Sequence, residues 1–500
     1  MRHSLFHIRL VPGKSIQAQI RERLVADIVD GRLVAGTAMP SSRRLAEALG
    51  VSRNTVVLVY EHLVDDGFLT SRQRSGYFVA EGIQDDRAPG TSHGPSQAPS
   101  QAPSQPHDGP DWERRFRVRP TRQSNVEKPS AWQDYEFPFV YGQVDLDLFP
   151  IGAWRECTRQ ALGRKEMAWW MSDNFAEDDE ALVEQIRERL LPRRGIFVKS
   201  DEILVTLGAQ NALYLIASLL VTPDATVGFE EPGYADARNI FGLCTQHVVP
   251  LAVDAGGLPV DERLSACQYL YTTPSHQLPT AVTLPMARRE ALLQAAGRHR
   301  FLIIEDDYES ETNFAERPMP ALKSLDEADR VLYVGSLSKV LFPGLRLGFL
   351  VGPPEFIAEA RSLRRLMLRH PPTHMQRTAA LFIALGHYDS LIRRLHKNYR
   401  QRWQVMHQAL ERHLPETLIP ATFGGSCFWL TGPARLDADE LAGRALAQGI
   451  IIEPGRVFFA APEPPANHFR LGFSSIPEDR IEPGIVGLAE LMRDQLRSAA

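Results

Sequence analysis

One lysine set between two apolar runs constrains this chain more than any other feature. In Tyr333-Val-Gly-Ser-Leu-Ser-Lys-Val-Leu-Phe-Pro-Gly-Leu-Arg-Leu-Gly-Phe-Leu350, Lys339 is the single lysine. An apolar, β-branched run ends in Gly335-Ser336 and a second apolar run follows, a pattern of strand, tight turn, strand. A charged ammonium between buried strands is costly to desolvate. Burial therefore lowers its pKa and frees the amine as a nucleophile. Ser336, Ser338 and Arg346 stand nearby, two hydroxyls and one guanidinium of the kind that hold a phosphate.

Three chemistries compete for this stretch. A lysine in a surface loop snorkels into water and does nothing more. A Ser-x-x-Lys acylase, here Ser336 to Lys339, also needs Ser-Asp-Asn and Lys-Thr-Gly. Ser172-Asp-Asn174 precedes the lysine and no Lys-Thr-Gly occurs. A lysine that holds pyridoxal phosphate needs a carboxylate for the pyridinium nitrogen. Ile303-Ile-Glu305-Asp306-Asp307-Tyr308 supplies one at the end of another buried strand, and the third chemistry is favoured.

A chain of 500 residues is too long for one core, so two or three domains are expected. Residues 1–80 carry eleven Lys/Arg against seven Asp/Glu, and the rest is net acidic. A basic start on an acidic body points weakly toward nucleic acid. The four cysteines (Cys157, Cys244, Cys267, Cys427) have no paired spacing, so neither a disulfide framework nor a metal site is expected. The first residues lack a signal-peptide core, and no apolar run reaches 18 residues. A cytoplasmic protein without a membrane span is the expectation.

Ile16, Ile20, Leu24 and Ile28 recur every four residues, an amphipathic helix with Ser15 as N-cap. A second short helix opens at Pro40-Ser41-Ser42 and Gly50 turns the chain. Ser52 caps a third helix carrying Val56, Val59, Tyr60 and Leu63. Phe68-Leu69-Thr70 and Gly76-Tyr-Phe-Val79 then flank a polar tip, a hairpin wing. Together these make a winged helix-turn-helix, whose third helix would enter the major groove. Pro40-Ser-Ser-Arg43-Arg-Leu-Ala-Glu-Ala-Leu-Gly-Val-Ser52-Arg53-Asn-Thr55 with Arg74-Ser-Gly76-Tyr-Phe-Val resembles the DNA-binding domain of the GntR regulators. That resemblance implies that Arg43, Ser52, Arg53 and Thr55 contact operator DNA and that Gly76 lets the wing approach the minor groove. Arg74 stands where the family more often has glycine.

Residues 81–133 are expected to be a flexible linker, with a Pro-Ser-Gln-Ala repeat over 95–106. Trp112-Glu-Arg-Arg-Phe-Arg-Val-Arg119 interrupts it, to dock on the body, touch DNA or stay solvated. From 134 to 500 helical and β-rich runs alternate, the mark of an α/β fold with a largely parallel sheet. Strands are expected at Ile203–Val205, Thr226–Phe229, Tyr269–Thr272, Phe301–Ile304, Val331–Val334 and Leu347–Val351. A smaller mixed region follows, with strands at Ser426–Leu430 and Phe469–Phe473.

Gly335-Ser-Leu-Ser-Lys339 with Pro343-Gly-Leu-Arg346-Leu-Gly348 resembles the fold-type I enzymes of pyridoxal phosphate, the aspartate aminotransferase family. The resemblance implies that Lys339 forms the internal aldimine and that Ser336, Ser338 and Arg346 bind the phosphate. Gly208-Ala209-Gln210 follows a strand and opens a helix, a natural phosphate seat. By resemblance Asp306 pairs with the pyridinium nitrogen, Tyr308 meets the ring's phenolic oxygen and Tyr234 stacks on the ring. Glu305 has the usual spacing to Tyr308, but Glu-Asp-Asp-Tyr in the regulator branch selects Asp306. Thr273-Pro-Ser-His-Gln-Leu-Pro stands where aminotransferases carry Asn-Pro-Thr-Gly, with His276 or Gln277 as substitutes for the asparagine. Arg470 matches the arginine that clamps a substrate carboxylate.

The whole order, a GntR head, a linker and an aminotransferase-like body, resembles the MocR regulators. The chain is then multidomain: a winged helix-turn-helix (α+β) at 1–80 and an α/β fold-type I body. The resemblance implies a head-to-tail, domain-swapped homodimer on operator DNA that senses a small amine or amino acid through an external aldimine at Lys339, without being an enzyme in its own right. The alternative is a working aminotransferase that carries a DNA-binding head.

Overall fold

The computed structural model describes residues 11, 13–72, 75–81, 110–313, 319–419 and 424–498. They form two compact units, Met1–Pro110 and Asp111–Ala500. The second unit therefore begins ahead of residue 134, and 111–133, expected within the linker, is counted with the body. Arg74 and the 95–106 repeat lie outside the described residues.

In the first unit α1 (Ile16–Val29) starts at Ser15, whose hydroxyl accepts the Ala18 N–H at 3.4 Å. Ile20, Leu24 and Ile28 are fully buried, while Ile16 in the first turn stays exposed. Ser41 caps α2 (Ser42–Leu49), and Gly50 in the left-handed region turns the chain into α3 (Arg53–Asp65). Val56, Val59, Tyr60 and Leu63 face inward from α3, and the Tyr60 hydroxyl donates to the Pro40 carbonyl at 2.9 Å. The wing pairs β1 (Leu69–Arg72) with β2 (Gly76–Val79), antiparallel, Leu69 opposite Val79.

The body opens with the short strand β3 (Phe137–Pro138). Its large sheet contains β4 (Ile203–Thr206), β5 (Val227–Glu231), β6 (Val248–Ala252), β7 (Tyr269–Thr272), β8 (Leu302–Asp307), β9 (Val331–Ser336) and β10 (Gly348–Val351), in the order β4-β10-β9-β8-β7-β5-β6. Every pairing is parallel except those of β10, which runs against both β9 and β4. Buried runs without alternation fit a sheet covered on both faces. The sheet is longer than expected by β6, an edge strand containing Pro250, where a missing N–H does no harm.

A smaller sheet holds β11 (Cys427–Thr431), β13 (Glu453–Pro454) and β14 (His468–Gly472), while β12 (Ile450–Ile451) pairs with β3. The four cysteines are free thiols. Among the described residues no helix is long and apolar enough to cross a membrane.

Candidate functional site

The strands β4, β5, β7, β8 and β9 point the same way, so their carboxyl ends share one edge of the sheet, where α/β folds place ligands. A cavity of about 230 Å³ opens there. Its lining includes Gly208, Ala209, Gln210, Tyr234, Asp306, Tyr308, Ser336, Ser338, Lys339 and Arg346, all expected around the cofactor, together with Arg470.

Lys339 lies in the connection between β9 and β10, which spans 337–347 with a short 3-10 turn at Pro343–Leu345, longer than the expected tight turn. Its Nζ sits 4.6 Å from the centre of the Tyr141 ring. Burial, reinforced by the nearby Lys128, lowers its pKa from 10.5 to about 8. The Ser336 hydroxyl accepts the Ser338 N–H at 3.3 Å, and Asp173 of the Ser-Asp-Asn run pairs with Arg369. The acylase reading has no geometry behind it.

Strand alternation separates the three acids of β8. Asp306 faces the cavity. Its Oδ2 accepts the Tyr271 hydroxyl at 2.8 Å, and its Oδ1 is buried with no partner among the described residues. Burial raises its pKa to about 7. Glu305 and Asp307 belong to the opposite face. Glu305 accepts the Leu322 and Lys323 N–H groups at 2.8 Å each, and Asp307 pairs with Arg194 at 2.7 Å and with the Tyr333 hydroxyl at 2.8 Å.

Gly208 (φ +81°) precedes the helix Ala209–Leu220. A Cβ there would approach the Arg346 guanidinium to 3.3 Å, so glycine permits the close contact. Arg346, itself in the left-handed region, reaches the Leu207 carbonyl at 3.3 Å. Two hydroxyls, a guanidinium and a helix N-terminus converge, a donor set suited to a phosphate. The orphaned Asp306 Oδ1 suits a protonated ring nitrogen. These residues fit pyridoxal phosphate.

Other expectations meet different surroundings. The Tyr308 hydroxyl donates to the His276 carbonyl at 2.8 Å, and Tyr234 bonds Asp236 at 3.1 Å. Neither His276 nor Gln277 lines the cavity. Gln277 is spent on the Pro232 and Leu278 carbonyls, at 2.7 and 2.8 Å. Arg470 is 2 % exposed, and its Nε and Nη2 each lie 2.7 Å from Glu453 Oε2. Sequence reasoning missed Lys128, Tyr141, Gly142 and Glu453. Gly142 (φ +69°) is pressed against the lysine, since a Cβ there would lie 2.5 Å from Lys339 Nζ.

On the first unit Arg43, Ser52 and Arg53 are exposed and Thr55 is half-buried. The Ser52 hydroxyl caps α3 and bonds the Thr55 hydroxyl at 2.8 Å. The Arg53 Nε donates to Ser42 at 3.4 Å, and Gly76 opens β2.

The model of the gntR family of bacterial regulatory proteins matches residues 16–79, and that of class I and II aminotransferases matches 177–487. The HTH-type transcriptional regulator TauR of Rhodobacter capsulatus is 43% identical over 97% of this chain and 98% of its own. The probable rhizopine catabolism regulatory protein MocR of Rhizobium meliloti is 32% identical over 94% and 92%. Among solved structures, Pyrococcus horikoshii kynurenine aminotransferase matches with a TM-score of 0.70 at 28% identity, over 77% of this chain and 98% of that one. A gntR head and an aminotransferase body, in the order and over the length of full-length regulators, place this chain in the MocR-type family of pyridoxal-phosphate-dependent transcriptional regulators.

Proposed function

We propose that this protein is a cytoplasmic regulator whose homodimer, head-to-tail and domain-swapped, binds operator DNA and changes its grip when a small amine or amino acid enters the body cavity. The carrying observation is the convergence on one cavity of Lys339, lowered to about 8, the orphaned Asp306 Oδ1 and the phosphate-suited donors. When bound, pyridoxal phosphate would supply an aldehyde with which the Lys339 amine, and an effector amine, could condense. Asp306 holds a proton against the ring nitrogen. Ser336, Ser338, Arg346 and the helix start at Gly208, Ala209 and Gln210 hold the phosphate. Tyr234 would pack on the ring, and the Tyr308 hydroxyl would serve its phenolic oxygen. On the head, Arg43, Ser52, Arg53 and Thr55 meet the major-groove face and Gly76 lets the wing close in.

The body serves as a sensor and not as a catalyst of turnover. In support, the side-on edge of Arg470, which an aminotransferase would give to substrate, is held by Glu453. To act as a switch, the effector must prefer one body state by about 1–3 kcal/mol. The test is the visible spectrum of the purified protein beside Lys339→Ala, with a panel of amines and amino acids. A yellow band lost in the variant and shifted by one amine supports the sensor. A protein that stays colourless with added pyridoxal phosphate refutes it. Keto-acid-dependent amino transfer near ordinary enzyme rates, ~1–10³ s⁻¹, would establish the aminotransferase instead.

A further inference from the structure

Behind Asp306 stands a tyrosine that the cavity does not see. Tyr271 on β7 lies opposite Ile304 of β8, and Ile304 and Asp306 share a face of the pleat, so the tyrosine and the acid point to the same side of the sheet. Tyr271 is fully buried and is not part of the cavity lining. Its ring is stacked on that of Phe229, its partner across to β5, with centroids 4.4 Å apart and planes 9° from parallel. Phe241 closes on it with centroids 6.2 Å apart. A ring braced in this way fixes where its hydroxyl goes, and the hydroxyl donates to Asp306 Oδ2 at 2.8 Å.

That bond decides which oxygen the acid can offer. A carboxyl free to turn about its side-chain bonds presents either oxygen. Here Oδ2 is taken, and Oδ1 is the buried atom without a partner among the described residues. The other groups that act on Asp306 are committed elsewhere or make no bond to it. Glu230 accepts the hydroxyls of Thr272 and Thr273 at 2.5 and 2.6 Å. Asp307 is paired with Arg194, and the Tyr234 hydroxyl is bonded to Asp236. Burial, Asp307 and Glu230 favour the protonated form of Asp306, whereas the Tyr271 hydroxyl and the Lys339 charge favour the ionised one.

Resting on the cofactor reading above, we propose that Tyr271 is a positioning residue of this site, whose hydroxyl pins Asp306 so that Oδ1 is the atom presented to the ring nitrogen of bound pyridoxal phosphate. Tyr271 acts only through Asp306. Without the hydroxyl the carboxyl turns more freely and keeps its own proton more firmly, and a protonated acid accepts a ring N–H less well. Support from behind a first contact is what holds such a group in a productive orientation.

The test uses the full chain without cofactor, as wild type, Tyr271→Phe, Tyr271→Met, Asp306→Ala and the double variant Tyr271→Phe with Asp306→Ala. Pyridoxal phosphate and its 1-deaza analogue, in which carbon replaces the ring nitrogen, are titrated by visible absorption and calorimetry, with thermal melts alongside. The wild type is expected to bind pyridoxal phosphate about tenfold or more tighter than the analogue. Tyr271→Phe should lose most of that preference, through weaker binding of pyridoxal phosphate and not of the analogue. The double variant should show the same preference as Asp306→Ala alone, as residues that act as one unit do. A tyrosine that only fills space would weaken both ligands together. Equal losses on both ligands, or an intact preference in either hydroxyl-free variant, overturns the proposal. So does the failure of both hydroxyl-free variants to fold, which marks a purely structural tyrosine. A wild type without any preference, or one that keeps it in Asp306→Ala, refutes the pairing of Asp306 with the ring nitrogen itself, and the role of Tyr271 falls with it.

Discussion

Gly142→Ala separates the position of the reactive amine from the stability of the body. The substitution does two things. It places a Cβ on a backbone with φ +69°, and it puts that atom 2.5 Å from Lys339 Nζ. The left-handed conformation costs an alanine roughly 1–2 kcal/mol. The contact is cheap for stability, because a lysine tip can swing away. Restoring ordinary contact, at 3.4–4 Å, moves Nζ by about 1 Å, and a displacement of about 1 Å at a reacting atom costs on the order of 10²-fold in rate. Gly386→Ala is the control. It has φ +78°, nothing within 4 Å of an added Cβ, and no place in the cavity lining. Thermal melts should lower Tm by similar amounts, about 1–4 °C. Stopped-flow absorbance after mixing cofactor-free protein with pyridoxal phosphate should show Gly386→Ala like wild type and Gly142→Ala slower by at least tenfold. Equal rates for all three proteins would refute the claim that Gly142 sets the position of the amine.

Because Lys339 titrates near 8 and not 10.5, cofactor capture should rise with pH through about 8 in the same stopped-flow experiment. The unfolded chain binds the extra proton between those values, so the stability of the cofactor-free body should also rise from pH 8 to 10.5 in urea melts. Asp306 has the opposite sign: the folded carboxyl keeps its proton up to about 7 while the unfolded one loses it near 3.8. Stability of the cofactor-free protein should fall from pH 4 to 7, and Asp306→Asn should flatten that fall while weakening the yellow band. Arg194→Leu strands the buried Asp307 and should cost about 3–5 kcal/mol in chemical unfolding. Arg43→Ala and Arg53→Ala should each weaken binding to a duplex selected from a random pool by the wild type, measured by fluorescence anisotropy. Ser52→Ala should also destabilise the head by about 1 kcal/mol through loss of its cap.

The residues legible in the sequence are those whose chemistry is announced locally. Lys339, Asp306 and Gly208 each stand at the end of a buried apolar run, where a polar residue needs a reason to be. Glu453 has the same mark, closing Ile450-Ile-Ile, yet its meaning depends on Arg470 across the β13–β14 register, which no local pattern supplies. The choice of Asp306 over Glu305 follows the pleat: spacing along the chain favours Glu305, but alternate residues of β8 face opposite ways and only Asp306 reaches the cavity. Tyr141 and Gly142 carry no motif, and Lys128 lies in a stretch whose composition reads as linker. β6 was hidden by Pro250 at the sheet edge. In the basic amphipathic run over 361–369, Arg361 and Arg364 hold Asp178 at 2.7 and 2.6 Å, and Arg365 lies 4.0 Å from the centre of the Phe175 ring, contacts that no local pattern announces.

The reversed strand β10 has a consequence for synthesis. By pairing with β4 and β9 at once, it joins the Gly208 turn to the loop of Lys339 and Arg346. Glu453 and Arg470 arrive later still. On a ribosome the chain exposes the apolar ends of β4, β8 and β9 well before the last wall of the cavity exists. A nascent body cut short of Arg470 would present the lysine without the guanidinium that helps enclose it. A fully enclosed cavity would then mark chains whose C-terminal region has emerged and docked.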